Sequence, residues 1–250
     1  MNKIIKIEEK TVTIFYNEDF KDKDIPIIIL NTFDEDGEKI WNLSKEYNCK
    51  EYILVTISNI NWNKEMSPWY MKKLYKNDDD YSGEADKYIK QLETKIIPEI
   101  KSIVGDKEMI LAGYSLAGLF AIYSLYKINI FNKIISASGS LWYPNFTDYV
   151  KENKILNKPE KIYFSLGNKE SKTKNEILSK VEDNTKYLAE FYKNQGIKTI
   201  YEENEGNHFQ DVYLRLVKAI KWILEWFKFN YPKSPLEIAK SYLKLLLDFL

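Results

Sequence analysis

The sequence predicts an α/β domain built on a mostly parallel central sheet with helices on both faces. Two observations carry that expectation. Short, unbroken apolar runs rich in β-branched residues recur along the chain, and segments of helical period lie between most of them. Strands covered by helices on both faces bury both rows of side chains, so they lose the apolar–polar alternation of a half-exposed sheet. Helices inserted between strands make crossover connections, which set neighbouring strands parallel.

Residues 11–16 are expected to open the sheet as an outer strand. The first core run, Ile25-Pro26-Ile27-Ile28-Ile29-Leu30, follows and ends at Asn31-Thr32. Further strands are expected over residues 52–57, 108–112, 133–137, 161–166 and 198–202. Helical spacing of Tyr88, Ile89, Leu92, Ile96 and Ile100 predicts a helix over 86–103, with Pro98 as a kink. Other helices are expected over 116–126, 176–194 and 209–229. After Pro232 and Pro235, residues 236–250 have the pattern of an amphipathic helix, so 232–250 is read as a helical appendage packed on the domain. No internal repeat, low-complexity tract or Pro/Gly-rich linker divides the chain, which predicts one domain over 1–250.

Composition excludes several classes of function. A chain of 250 residues buries enough surface to fold without a metal or disulfide staple. Cys49 is the only cysteine, so no intrachain disulfide forms, and a Cys/His zinc site is nearly as impossible. Lys plus Arg and Asp plus Glu both number 37, which leaves no net field to gather nucleic acid or anionic lipid. Charges interrupt the apolar residues of the first eight positions too early for a signal peptide, and no apolar run approaches the ~18 residues of a membrane span. A soluble, cytoplasmic protein is expected. Arg215 is the sole arginine and His208 the sole histidine. Any histidine chemistry therefore falls to His208.

Active groups of open α/β sheets gather at strand ends. The run 108–112 closes into Ala112-Gly113-Tyr114-Ser115-Leu116-Ala117-Gly118 and leads at once into a helical segment. A serine on such a strand-to-helix turn projects its hydroxyl above the sheet, and the residues two before and two after must be small. Gly113 and Ala117 meet that demand. The helix start aims N–H groups at charge developing beside Ser115, the Leu116 N–H first among them. After the next strand but one comes Ser165-Leu166-Gly167-Asn168-Lys169-Glu170, where Glu170 is placed to orient a histidine, with Asp183 and Glu205 as alternatives. After the last strand, Glu205-Gly206-Asn207-His208 sets the histidine in a glycine-containing loop. Ser115, Glu170 and His208 thus occur in the chain order of the α/β-hydrolase triad.

With these residues the chain resembles the Putative esterase family of α/β-hydrolases, which includes enterochelin (siderophore) esterases, esterase D and feruloyl esterases. The resemblance spans residues 25–229 and is strongest at Gly113-Tyr114-Ser115-Leu116-Ala117-Gly118-Leu119 and Gly206-Asn207-His208. Trp62-Asn63, Ser67-Pro68-Trp69 and Gly83 resemble a bacterial subgroup. The resemblance implies an α/β-hydrolase fold, Ser115 as nucleophile and His208 as base. Glu170 stands where the family more commonly has aspartate. A second oxyanion donor is expected from the loop Asn31-Thr32-Phe33-Asp34-Glu35-Asp36-Gly37, which lacks the family's usual His-Gly or Asp-Gly. The Phe33 backbone is the first choice and Thr32 the next.

The acidic runs Asp34-Glu35-Asp36 and Asp78-Asp79-Asp80 are read as solvated loops rather than cation sites. Trp62, Trp69, Tyr114 and Trp142 are candidate substrate contacts, suited to stacking on aryl or sugar groups. The function expected is a serine esterase that acts on a small-molecule aryl, sugar or siderophore ester through an acyl-enzyme, with no cofactor or metal. The alternatives are an acyltransferase with an alcohol acceptor, or a ligand-binding protein that turns nothing over.

Overall fold

A computed structural model describes residues 1–33 and 36–225. The helix expected over 232–250 lies outside the described residues, as do Asp34 and Glu35.

The strands are β1 (Asn2–Ile7), β2 (Lys10–Phe15), β3 (Ile27–Asn31), β4 (Ile53–Ser58), β5 (Tyr70–Met71), β6 (Tyr81–Ser82), β7 (Met109–Tyr114), β8 (Lys133–Ala137), β9 (Lys161–Gly167) and β10 (Lys198–Asn204). The helices are α1 (Gly37–Glu46), α2 (Trp62–Glu65), α3 (Ala85–Gln91), α4 (Ile97–Val104), α5 (Leu116–Ser124), α6 (Phe146–Glu152), α7 (Val181–Asn194) and α8 (Val212–Leu224). Among the described residues eight strands form one sheet in the order β1-β2-β4-β3-β7-β8-β9-β10, and β5 with β6 forms a separate hairpin. From β4 to β10 every pairing is parallel, while β1–β2 and β2–β4 are antiparallel.

The central strands alternate between two cores, as a strand period of two requires. Ile27, Ile29, Val55, Met109, Leu111, Ile134 and Phe164 face one core, which includes apolar residues of α3, α4, α5 and α7. Ile28, Leu30, Leu54, Ile110, Ile135 and Tyr163 face the other, against residues of α1 and α8. Both rows of β3 and β4 are buried, which is why these strands are continuous apolar runs.

The fold departs from three sequence expectations. The strand over 11–16 is β2 and does not lie at the edge, because β1 pairs beyond it. The helix expected over 86–103 is divided: α3 passes into a π-helical stretch at Leu92–Ile96 before α4 resumes with Pro98 in its first turn. Proline lacks the N–H that would bond four residues back, and the wider turn ahead of it accommodates that loss. The helices expected over 116–126 and 176–194 are shorter, since α5 ends at Ser124 and a 3-10 turn at Leu178–Lys180 precedes α7; of the helix expected over 209–229, α8 spans Val212–Leu224, and residues 226–229 lie outside the described residues. No helix among the described residues is long and apolar enough to cross a membrane.

Candidate active site

The parallel strands deliver their C-terminal ends, and the loops that follow, to one edge of the sheet. Ser115 follows β7 directly with φ 59° and ψ −126°, a strained conformation for a residue with a side chain. The turn is held by Ser115 N–H donating to the Ala137 carbonyl at 3.3 Å and Ser140 N–H donating to the Ser115 carbonyl at 2.9 Å. α5 starts on the next residue, so the Leu116 N–H belongs to the first turn, whose donors have no acceptor within the helix.

His208 sits in the loop between β10 and α8, where Gly206 has φ 97°. The Asn207 side chain accepts from Phe209 N–H, and Gln210 accepts from Asn207 N–H, so the loop is braced internally. His208 Nε2 lies 3.0 Å from Ser115 Oγ, and Nδ1 lies 2.7 Å from Glu170 Oε2. Glu170 follows β9, and its other oxygen, Oε1, accepts from Gly167 N–H at 2.6 Å, Ser138 Oγ at 2.8 Å and Arg215 at 2.8 Å. Burial alone would raise the Glu170 carboxyl pKa. The hydrogen bond and charge of His208, together with the donors from Gly167 and Ser138, outweigh it and hold the group below the ordinary carboxylate range. Glu170 is therefore an anion beside the imidazole.

The alternative acids do not reach this cluster: Asp183 is exposed on α7, and the Glu205 side chain is exposed while its backbone carbonyl accepts from Arg215. Thr32 is also eliminated as an oxyanion donor, since its N–H is committed to the Ile57 carbonyl at 2.9 Å. Phe33, next along, is 72% exposed and sets its ring edge-on to Trp62 with centroids 5.6 Å apart.

A cleft of about 270 Å³ opens over Ser115 and His208, walled by Trp62, Tyr75, Tyr81, Trp142 and Phe209, with the Ser138-Gly139-Ser140 turn at its base. Two depressions of about 380 Å³ elsewhere are larger, but charged residues around Glu65 line them and no serine–histidine pair lies in either.

Trp62 and Trp142 reach the cleft, whereas two other candidate contacts do not line it. Trp69 packs among Tyr123, Tyr143, Phe146 and Tyr149, and its Nε1–H donates to the Pro144 carbonyl at 3.1 Å. Its indole is thus engaged by the loops beside the cleft rather than by the cleft itself. Tyr114 lies behind His208, with ring centroids 5.3 Å apart and its hydroxyl donating to the His208 carbonyl at 2.7 Å.

Sequence reasoning missed Ser138, Ser140 and Arg215 as parts of the site. Ser140 Oγ lies 3.4 Å from Ser115 Oγ, and Arg215 reaches Glu170 from α8. Being the chain's one arginine was the available signal for Arg215.

Residues 32–221 match the Putative esterase family. The uncharacterised protein YbbA of Bacillus subtilis (strain 168) is 22% identical over 201 residues, covering 76% of this chain and 80% of YbbA. Among solved structures, an IroE-like serine hydrolase from Shewanella oneidensis superposes with a TM-score of 0.74 at 18% identity, covering 90% of this chain and 80% of that one. The enterobactin esterase FES from Shigella flexneri, solved in the presence of enterobactin, gives a TM-score of 0.65 at 18% identity, covering 89% of this chain and 58% of FES.

Proposed function

Since the chain belongs to the Putative esterase family and is an ester-hydrolysing enzyme with an α/β-hydrolase fold, we propose that it works as a serine esterase through an acyl-enzyme formed on Ser115. The observation that carries this reading is the continuous hydrogen-bonded line from Ser115 Oγ through His208 to Glu170, at 3.0 and 2.7 Å.

Ser115 Oγ attacks the ester carbonyl carbon while His208 Nε2 takes the hydroxyl proton. The negative charge that forms on the carbonyl oxygen is met by the Leu116 and Phe33 N–H groups, which act on an oxyanion more strongly than on the ground-state carbonyl. Collapse of the tetrahedral intermediate breaks the C–O bond to the alcohol, which leaves with the proton from Nε2. Water then attacks the acyl-enzyme, passes a proton to Nε2, and frees the carboxylic acid as the proton returns to Ser115. Glu170 holds His208 in the tautomer with Nδ1–H and stabilises the imidazolium of each half-reaction. No step requires a metal or cofactor.

The aromatic walls of Trp62 and Trp142 favour a small-molecule ester with a planar aryl or sugar group. FES, solved with enterobactin, makes a siderophore ester a third class to assay. The test is labelling by a fluorophosphonate, with the adduct located by mass spectrometry, beside turnover of p-nitrophenyl, feruloyl, acetyl-sugar and catecholate esters. Labelling at Ser115, with turnover abolished in Ser115→Ala, is expected. Unchanged hydrolysis in Ser115→Ala would overturn the mechanism.

A further inference from the structure

We propose that Arg215 is a positioning residue: its guanidinium fixes both the Glu170 carboxylate and the His208 loop in the geometry the relay needs. The proposal rests on reading Ser115, His208 and Glu170 as a triad. Arg215 Nη1 donates to Glu170 Oε1 at 2.8 Å, to Ser138 Oγ at 3.0 Å and to Tyr114 Oη at 3.1 Å. Nη2 donates to the carbonyls of Glu205 and Asn207, each at 2.9 Å. Those two carbonyls flank Gly206 and stand immediately before His208. One planar group therefore touches the last residue of β7 and the chain just after β8, β9 and β10.

The guanidinium does more than fill space, on two physical grounds. The Arg215 side chain is 1% exposed and that of Glu170 is 4% exposed. A buried ion pair is a poor source of net stability, because desolvation offsets most of the attraction. Glutamate also has one more rotatable bond than aspartate, so its carboxylate must be held if Oε2 is to meet Nδ1. The guanidinium fork supplies that restraint from a rigid plane, and a lysine, a single-point donor on a flexible stem, would not. Gly167 permits the approach, since a Cβ there would fall 2.7 Å from Arg215 Nη2.

The chain has one histidine, so its imidazole can be titrated by proton NMR without interference. The groups facing this network are His208 and Glu170 themselves, Tyr114 from β7, Tyr163 from β9 with its partner Glu202, and Tyr201 from β10. Burial raises all three tyrosine pKa values, so they are neutral near pH 7. In Arg215→Gln the carboxylate no longer shares its charge with a guanidinium, so the His208 titration should move to higher pH. Arg215→Lys keeps the charge, so its titration should stay near the wild-type value while kcat still falls.

The decisive measurement is a double-mutant cycle with Glu170→Gln, with kcat and KM read on a p-nitrophenyl ester and melting followed by circular dichroism. In the wild-type background Arg215→Gln should lower kcat by about 10–100-fold with KM changed less than about threefold, and in the Glu170→Gln background by under about threefold. Should Arg215→Gln unfold, Arg215→Lys carries the same cycle. Equal losses in both backgrounds with an unmoved His208 titration would overturn the proposal. Loss of cooperative melting in both variants would also overturn it, by making Arg215 a determinant of the fold alone. Failure of the esterase reading shows separately, as wild-type protein unlabelled at Ser115 by the fluorophosphonate.

Discussion

Gly113 and Ala117 approach so closely that a Cβ built on Gly113 would stand 2.1 Å from the carbonyl carbon and oxygen of Ala117. Strand β7 and helix α5 meet backbone to backbone there, and the tight turn between them is what lifts Ser115 above the sheet. No flexible side chain is present to yield. Gly113→Ala should therefore lose more than about 3 kcal/mol of stability, by urea denaturation, or fail to yield folded protein. Gly105, at φ 84° with nothing within 4 Å of where a Cβ would stand, is the control: Gly105→Ala meets backbone strain alone and should lose about 1–3 kcal/mol.

Ser115 carries strain that a glycine would relieve. Its φ of 59° with ψ −126° is a conformation that residues with a Cβ adopt only at a cost of about 1–3 kcal/mol. Ser115→Gly and Ser115→Ala should both be inactive, and the glycine variant should melt higher than the alanine variant. Equal melting temperatures would mean that the turn is relaxed.

Glu170→Gln should reduce kcat far more than it raises KM, with a loss on the order of 10²–10⁴, because an amide cannot stabilise the imidazolium and favours the wrong tautomer. Asp183→Asn and Glu205→Gln, whose side chains are exposed, should leave kcat within about twofold of wild type. A crippled enzyme from either of the latter would reassign the acid.

The same carboxylate predicts a pH dependence of stability. Glu170 titrates below its unfolded value, so between the two values the unfolded chain binds more protons than the fold. Its stabilisation is complete above about pH 4.3, the unfolded glutamate value, and is lost as pH falls through the lower folded value. Calorimetry of wild type and Glu170→Gln should show a melting-temperature gap that is constant near neutrality and closes below about pH 4. Carboxylates common to both proteins cancel in that difference.

Trp142→Ala should change preference among large esters while sparing a small acetate ester, since its ring lines the cleft away from the scissile bond. Trp69→Ala should act on stability instead, losing about 3 kcal/mol with similar rate changes on large and small esters, because its indole is packed among four aromatic rings. A selective effect at Trp69 would return it to the substrate.

Legibility in the sequence followed burial. β3, β4 and β7 were readable because burial on both faces leaves little but apolar residues; the candidates Ser115 and Glu170 follow such strands, β7 and β9, whereas His208 follows the half-buried edge strand β10 and stood out as the one histidine. β1 was not, since Asn2-Lys3-Ile4-Ile5-Lys6-Ile7 is an edge strand exposed along most of its length. Its turn to β2 runs through Glu8 at φ 55°, a position where glycine or asparagine would have been the signal. α1 was hidden behind the acidic run that precedes it, although Ile40, Trp41 and Ser44 form its buried face. Aromatic residues announced a cleft without giving directions, so Trp69 and Trp142 were indistinguishable until the loops closed. Arg215 was invisible as a partner because a helix in sequence does not say which strand ends its inner face will meet.

The base of the proposed mechanism follows the last strand among the described residues. Among the described residues β10 pairs only with β9, at the far edge of the sheet from β1, and His208 hangs from the loop beyond it. A chain emerging in order can complete β7 and the strained turn at Ser115 once residues up to Ser140, which hold that turn, are made, while Glu170 and His208 are still to come. On the proposed mechanism, until they dock the serine is an ordinary alcohol with no base to take its proton. That mechanism then withholds reactivity from every partly folded form that lacks β10 and its loop, and labelling of Ser115 would mark their docking.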